Sequence, residues 1–214
     1  MAAWQTTSIT ITTLLLSVAL VTFQVAGARD NMPMVSNLVE KACKNMSSDI
    51  LSRRAPRFDE KPCVSVLRSD KRTVSAKDHG DLVVIAMDLL EKRSKEIAVK
   101  IESALHDLTV HNRTEYAFQF CAADYAAMLH MLPACRNMFL GIKPLGKKVA
   151  MDDAMRALGC VDKLGIAARD CGLELDNDWS GTKTDEYYSV IRYISLVWGL
   201  MEMATDRLDY WYDW

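Results

Sequence analysis

Apolar residues recur at steps of three and four along most of the chain, the period of a helix with one buried face. From about Lys77 to Thr109 the stripe runs through Leu82, Ile85, Ala86 and Leu89, then Ile97, Ile101, Leu105 and Leu108. A turn over Val110 to Arg113 leads to a second helix, Thr114 to about Leu140. Phe118, Cys121, Tyr125, Met128, Leu132, Cys135 and Phe139 fall on one side of it. Pro133 lies inside this helix and predicts a kink, because its nitrogen cannot donate and its ring crowds the preceding turn. Gly141 to Gly146 is rich in breakers and predicts a turn. A third helix is expected from about Lys147 to Leu173, with Cys160, Leu164, Ala167 and Cys171 sharing a face. Asp176 to Thr182 reads as polar loop. The fourth helix runs from Thr184 to Leu208, with Tyr187, Ile191, Ile194, Trp198, Met201 and Leu208 in near-heptad register. Four such helices joined by short turns predict an all-α, up-and-down four-helix bundle, each apolar stripe turned inward.

Composition agrees with that picture. Nine glycines and five prolines in 214 residues are too few for a many-turned β fold. The twelve methionines are adaptable filler for helical cores. Lys and Arg number 26 against 28 Asp and Glu, a net charge of −2, so nothing calls for a nucleic-acid or anionic-membrane partner.

Met1 to Ala28 carries no charged side chain, contains an apolar run through Leu14 to Val21, and ends in Ala26-Gly27-Ala28. That is the pattern of a secretory signal peptide, with residues 1–28 removed and 29–214 left as one domain without membrane association. The competing reading, an uncleaved anchor, is disfavoured by Gln24 and several threonines within the stretch. Secretion turns the six cysteines into expected disulfides, since no pair has the two-residue metal spacing and the four histidines are scattered. Asn45-Met46-Ser47 and Asn112-Arg113-Thr114 are sequons, making Asn45 and Asn112 glycosylation candidates.

Six cysteines allow fifteen pairings. Antiparallel geometry narrows them. Cys121 with Cys171 and Cys135 with Cys160 both centre a hairpin near Gly146 or Lys147, where the breakers lie. The rival Cys121–Cys160 centres it near Leu140 and leaves Cys135 and Cys171 roughly 35 Å apart, far beyond the ~7 Å that a disulfide spans. The expected bonds are Cys121–Cys171 and Cys135–Cys160, with Cys43–Cys63 by elimination. The alternative for Cys135 and Cys160 is a pair of buried thiols.

No catalytic residue, metal site or cofactor is indicated. No serine stands in an elbow motif, and no cysteine pairs with a histidine in a recognisable order. His106 and His111 are five apart, poor geometry for a shared metal on a helix, and His130 reads as a surface or boundary residue. Asp152-Asp153 and Asp176-Asn177-Asp178 lack calcium-loop spacing. The aromatic end, Asp209 to Trp214, reads either as a cap on the bundle or as a partner-binding tail.

Cys63 to Arg72, with its Leu67-Arg68-Ser69-Asp70-Lys71-Arg72 core, followed by Leu82 to Leu89, resembles a segment of the plant invertase and pectin methylesterase inhibitor family. Cys121 with Tyr125, Cys171 with Leu175, and Ile194-Ser195-Leu196 resemble later family positions, so the likeness runs from about Val35 to Leu208. It implies a disulfide-linked N-terminal helical hairpin, about 34–67, ahead of a bundle at about 77–208. It also implies a secreted, non-enzymatic protein of the apoplast, cell wall or vacuole that blocks pectin methylesterase or acid invertase. The family's invertase inhibitors present a Pro-Lys-Phe segment; here Lys143-Pro144-Leu145 holds similar ingredients in another order and is the candidate partner contact. Several features depart from the family: a long span between Cys43 and Cys63, a long span from Cys121 to Cys171, and the extra Cys135 and Cys160. The alternative function is a secreted helical-bundle ligand carrier or signalling protein that inhibits nothing.

Overall fold

The computed structural model describes residues 36–47, 59–106, 112–142, 151–177 and 185–205. Among them are six α-helices and no strand. The expected signal peptide, the segment Lys143-Pro144-Leu145 and the aromatic end Asp209 to Trp214 lie outside the described residues.

Two short helices come first, α1 (Ser36–Ser47) and α2 (Glu60–Arg68), and a 3₁₀ turn follows at Lys71–Ser75. Val39, Ala42, Cys43 and Met46 make the buried face of α1, at steps of three, one and three. Cys63 and Leu67 do the same for α2. Arg68 and Glu40 add an ion pair at 2.6 Å between the two helices. Both side chains are half exposed, so the pair contributes little beside the buried face.

The bundle consists of α3 (His79–Leu105), α4 (Asn112–Ile142), α5 (Met151–Asn177) and α6 (Asp185–Ala204). Each helix packs on its sequence neighbour, and α6 closes the ring against α3. The start of α3 is fixed chemically. Asp78 accepts a hydrogen bond from the Asp81 amide at 2.8 Å, and the Asp81 carboxylate accepts one from the Lys77 amide at 2.8 Å. This near-reciprocal cap satisfies donors that the first turn cannot pair internally. The expected inward stripe of α4 is buried throughout, from Phe118 to Phe139. On α3 Leu90 rather than Leu89 is fully buried. The interior is filled by large side chains, Tyr125, Phe139, Met87, Leu90, Ile97 and Leu164 among them. Across the bundle the Tyr125 hydroxyl donates to the Tyr187 carbonyl at 3.0 Å, and burial pushes its pKa upward.

One helix boundary differs from expectation. α4 is a single helix with Pro133 inside it, as expected, and Pro133 faces solvent; the carbonyl that loses its partner there can be served by water. α5 extends to Asn177, four residues past the expected end, so Asp176 is helical rather than loop. Leu175 is buried in that last turn, and Asp176 accepts a 2.7 Å hydrogen bond from the Tyr188 hydroxyl of α6. Asp176, read as loop, is exposed on the last turn of α5, and residues 178–182 of the expected loop lie outside the described residues.

Small residues set two close approaches. A Cβ at Gly172 of α5 would lie 2.4 Å from the Tyr188 ring, so Tyr188 packs where only a hydrogen fits. A Cβ at Gly199 of α6 would come within 3.1 Å of the Met46 sulfur, which marks where α1 docks on the bundle.

Candidate functional site

Three disulfides hold the described helices. Cys43–Cys63 joins α1 to α2 with a Cα separation of 5.6 Å. Cys121–Cys171 and Cys135–Cys160 join α4 to α5 at 4.5 and 5.5 Å. No cysteine is free, so Cys135 and Cys160 are bonded rather than buried thiols. On each long helix the two cysteines share a face because their spacings, fourteen and eleven residues, are close to whole numbers of turns.

The Ser69-Asp70-Arg72 segment forms a clasp between the N-terminal hairpin and the bundle. Ser69 Oγ donates to the Val66 carbonyl at 2.6 Å and closes the end of α2. Asp70 Oδ1 accepts from the Arg72 amide at 2.9 Å and caps the 3₁₀ turn. The Arg72 guanidinium reaches Asp70 Oδ2 at 2.6 Å and Asp88 Oδ2 of α3 at 2.7 Å. Arg136 of α4 stands 3.2 Å from the other Asp88 oxygen. The hydrogen bond from Arg72 holds the Asp70 carboxyl below its ordinary range, and Asp70 and Asp88 together hold the Arg72 pKa up. Asp70, Arg72 and Asp88 are all paired, and the clasp holds the front hairpin against α3.

The feature that the sequence reading passed over is a second apolar stripe on α4, facing outward. Tyr116, Phe120 and Met138 are 60%, 44% and 49% exposed, and Met131 is half-buried on the same side. Ala123, Ala127 and Ala134 fill the steps between them and are also exposed. The spacing is four or three throughout, a complete helical stripe without one charged residue. Tyr116 and Phe120 lean together with ring centroids 6.2 Å apart. Alongside, α5 exposes Leu173, Ile166 and Met155. The register set by the two disulfides puts these level with Phe120, Ala127 and Met138. On α5 the charged Arg156, Lys163, Asp170 and Glu174 lie between these residues and α4, so the exposed apolar surface is the stripe of α4 alone. Asp124, Asp170 and Glu174 border its Phe120 end. Burial first, then the Asp170 and Glu174 charges, raises the Asp124 pKa, and the buried Asp124 Oδ2 has no hydrogen-bond partner.

The remaining sequence candidates scatter. Asn45 sits half-buried in the last turn of α1 beside the buried Met46, and Asn112 opens α4. His130 is exposed on α4. His106, exposed at the end of α3, has Nε2 3.6 Å from Glu102. Among the described residues no three His, Cys, Asp or Glu side chains gather as a metal site, and no helix is long and apolar enough to cross a membrane.

The fold and this geometry define a class: a disulfide-stapled, all-α four-helix bundle with a cross-linked helical hairpin in front. Among solved structures the chain is similar to a pectin methylesterase inhibitor from Arabidopsis thaliana. The identity is 15%, the alignment covers 77% of this chain and 96% of that one, and the TM-score is 0.47. No family model matches the chain, and no curated protein does. The functional reading below rests on this chain's own residues.

Proposed function

We propose that the protein is a secreted inhibitor that docks on a carbohydrate-active enzyme of the cell wall or vacuole, pectin methylesterase or acid invertase, and covers its active site. The observation that carries this reading is the Ser69-Asp70-Arg72 clasp between the cysteine-linked front hairpin and α3 of the bundle. The residues that resemble the inhibitor family's Leu-x-Ser-Asp-x-Arg segment are those that tie the front hairpin to the bundle. A bundle stapled by two disulfides, with a third in the front hairpin, loses little conformational entropy on docking, so more of the contact energy is retained as affinity. The chain itself performs no catalysis. The large buried side chains along the bundle, Tyr125, Met128 and Phe139 among them, support an inhibitor over a carrier that would need room for a ligand.

The test is inhibition of purified pectin methylesterase and acid invertase by the oxidised protein. One enzyme should be inhibited near stoichiometrically, and reduction of the disulfides should abolish the effect. Full activity of both enzymes at micromolar inhibitor would overturn the reading in favour of a carrier or signalling protein. If inhibition is found, Lys143→Ala with Leu145→Ala asks whether that segment touches the target; unchanged inhibition removes it from the contact surface.

A further inference from the structure

The two bonds of the central hairpin differ in their setting. Cys121 and Cys171 are both fully buried, as are Cys43 and Cys63 of the front hairpin. In the remaining bond Cys135 is fully buried, but Cys160 is partly exposed, alone among the six cysteines. We propose that Cys135–Cys160 is a thiol-reactive latch. Low-molecular-weight thiols open it ahead of the other two bonds, and its opening loosens the tip of the α4–α5 hairpin while the rest stays fastened.

Helical pitch explains why this bond lies nearer the surface. Fourteen residues separate the cysteines of α4, slightly short of four turns, so Cys135 is rotated by about 40° from Cys121. The rotation carries it toward half-buried Met131 and exposed Met138, the outer side of the seam. On α5, Cys160 lies about 20° from Cys171, toward exposed Arg156 and Lys163. The seam therefore runs outward as it approaches the tip. The neighbours there are small: Ala134 is exposed beside Cys135, and a Cβ at Gly159 would meet nothing within 4 Å. The flank of Cys160 on that side is open to an incoming thiol.

Access to sulfur is one of the factors that set the rate of thiol–disulfide exchange, and exposed bonds are the labile ones. A small thiolate attacks Cys160 Sγ. A new S–S bond forms there, the Cys135–Cys160 bond breaks, and Cys135 leaves as a thiolate that takes up a proton. A second thiolate attacks the small molecule's sulfur in this mixed disulfide and releases Cys160, which is protonated in turn. Two small thiols are oxidised to one disulfide, and one protein disulfide is reduced to two thiols.

Position limits what the opening does. The bond lies seven residues from the end of α4 and nine from the start of α5. Cys121–Cys171, about four turns deeper, keeps the two helices together. Only the last turns of α4 and the first turns of α5 lose their cross-link, and helix ends are the parts that open most readily.

The test is a time course of the oxidised protein with reduced glutathione under native conditions, quenched with an alkylating reagent and mapped by mass spectrometry. A species labelled at Cys135 and Cys160 should form about tenfold or more faster than any labelled at the other four cysteines. The transient glutathione adduct should sit on Cys160. Hydrogen exchange of the two-thiol species should be faster at 136–142 and 151–159 and unchanged around Cys121 and Cys171. Cys135→Ser with Cys160→Ser should reproduce that pattern with unaltered circular dichroism. First labelling at Cys43 and Cys63 or at Cys121 and Cys171, simultaneous labelling of all six, or an adduct on Cys135 overturns the proposal. So does a two-thiol species whose tip keeps its protection, since the bond would then latch nothing. No target enzyme enters either measurement, so the outcome is independent of the inhibitor reading.

Discussion

The front hairpin and the central hairpin are both cross-linked, but they stand in different relation to their bonds. α1 and α2 have 12 and 9 residues and share one disulfide; α4 and α5 have 31 and 27 and share two. Helices as short as α1 and α2 are marginal alone, since nucleation costs more than a few turns return. Their order comes from the Cys43–Cys63 bond, the few buried side chains around it and the Arg72 clasp. α4 and α5 bury a stripe along their whole length, and the bonds add to a pair that packing already specifies. A disulfide is thus the main reason for structure in one hairpin and reinforcement in the other.

The largest effect that would break this contrast is expected from Cys121→Ser with Cys171→Ser. While Cys135–Cys160 remains closed, the outer bond closes only the difference between separations of 50 and 25. The chain-entropy model then assigns it about 3 kcal/mol, visible as a lower denaturation midpoint with the helix content unchanged. Cys43→Ser with Cys63→Ser removes a bond of separation 20, also worth about 3 kcal/mol in that model, but the loss should be local. Hydrogen exchange is expected to show α1 amides unprotected while α4 and α5 keep their protection. Equal loss of protection in both hairpins would mean that they fold as one unit. Gly172→Ala forces the Tyr188 ring off its seat and away from Asp176, and should cost about 1–3 kcal/mol in thermal unfolding.

The smallest change, opposite in sign, is expected from Asp124→Asn. The raised pKa means that native Asp124 holds its proton more tightly than the unfolded chain does. Stability therefore falls as pH rises through that window, and the substitution should stabilise at neutral pH. The gain should shrink on acidification and vanish below the unfolded carboxylate range. Asp70, held low by Arg72, runs the other way: its contribution is complete above the unfolded pKa and is lost as pH falls through the folded one. Stability against pH for wild type and Asp124→Asn checks both signs.

The bundle was legible because burial repeats: Phe118 to Phe139 and Cys160 to Cys171 mark their inward faces unaided. The disulfide register was legible for the same reason, since helical rise converts residue spacing directly into distance. The end of α5 was not. Asp176 and Asn177 look like loop until Tyr188 is known to lie opposite them. The outer stripe of α4 was hidden by the inner one. Tyr116, Phe120, Met131 and Met138 read as part of a generally apolar helix, and only a second count at three-four spacing would have separated the two faces. The residues of the clasp were visible as a motif, but their joint grip on Asp88 depends on a fold that brings positions sixteen apart together.

The nested bonds of the central hairpin make the connection between Ile142 and Met151 expendable for keeping the molecule whole. A protease that cut there would leave two long rods still fastened at two levels, migrating as one species until a reductant was added. Outside the cell, where endopeptidases abound and thiols are scarce, such a nick would leave the two rods joined.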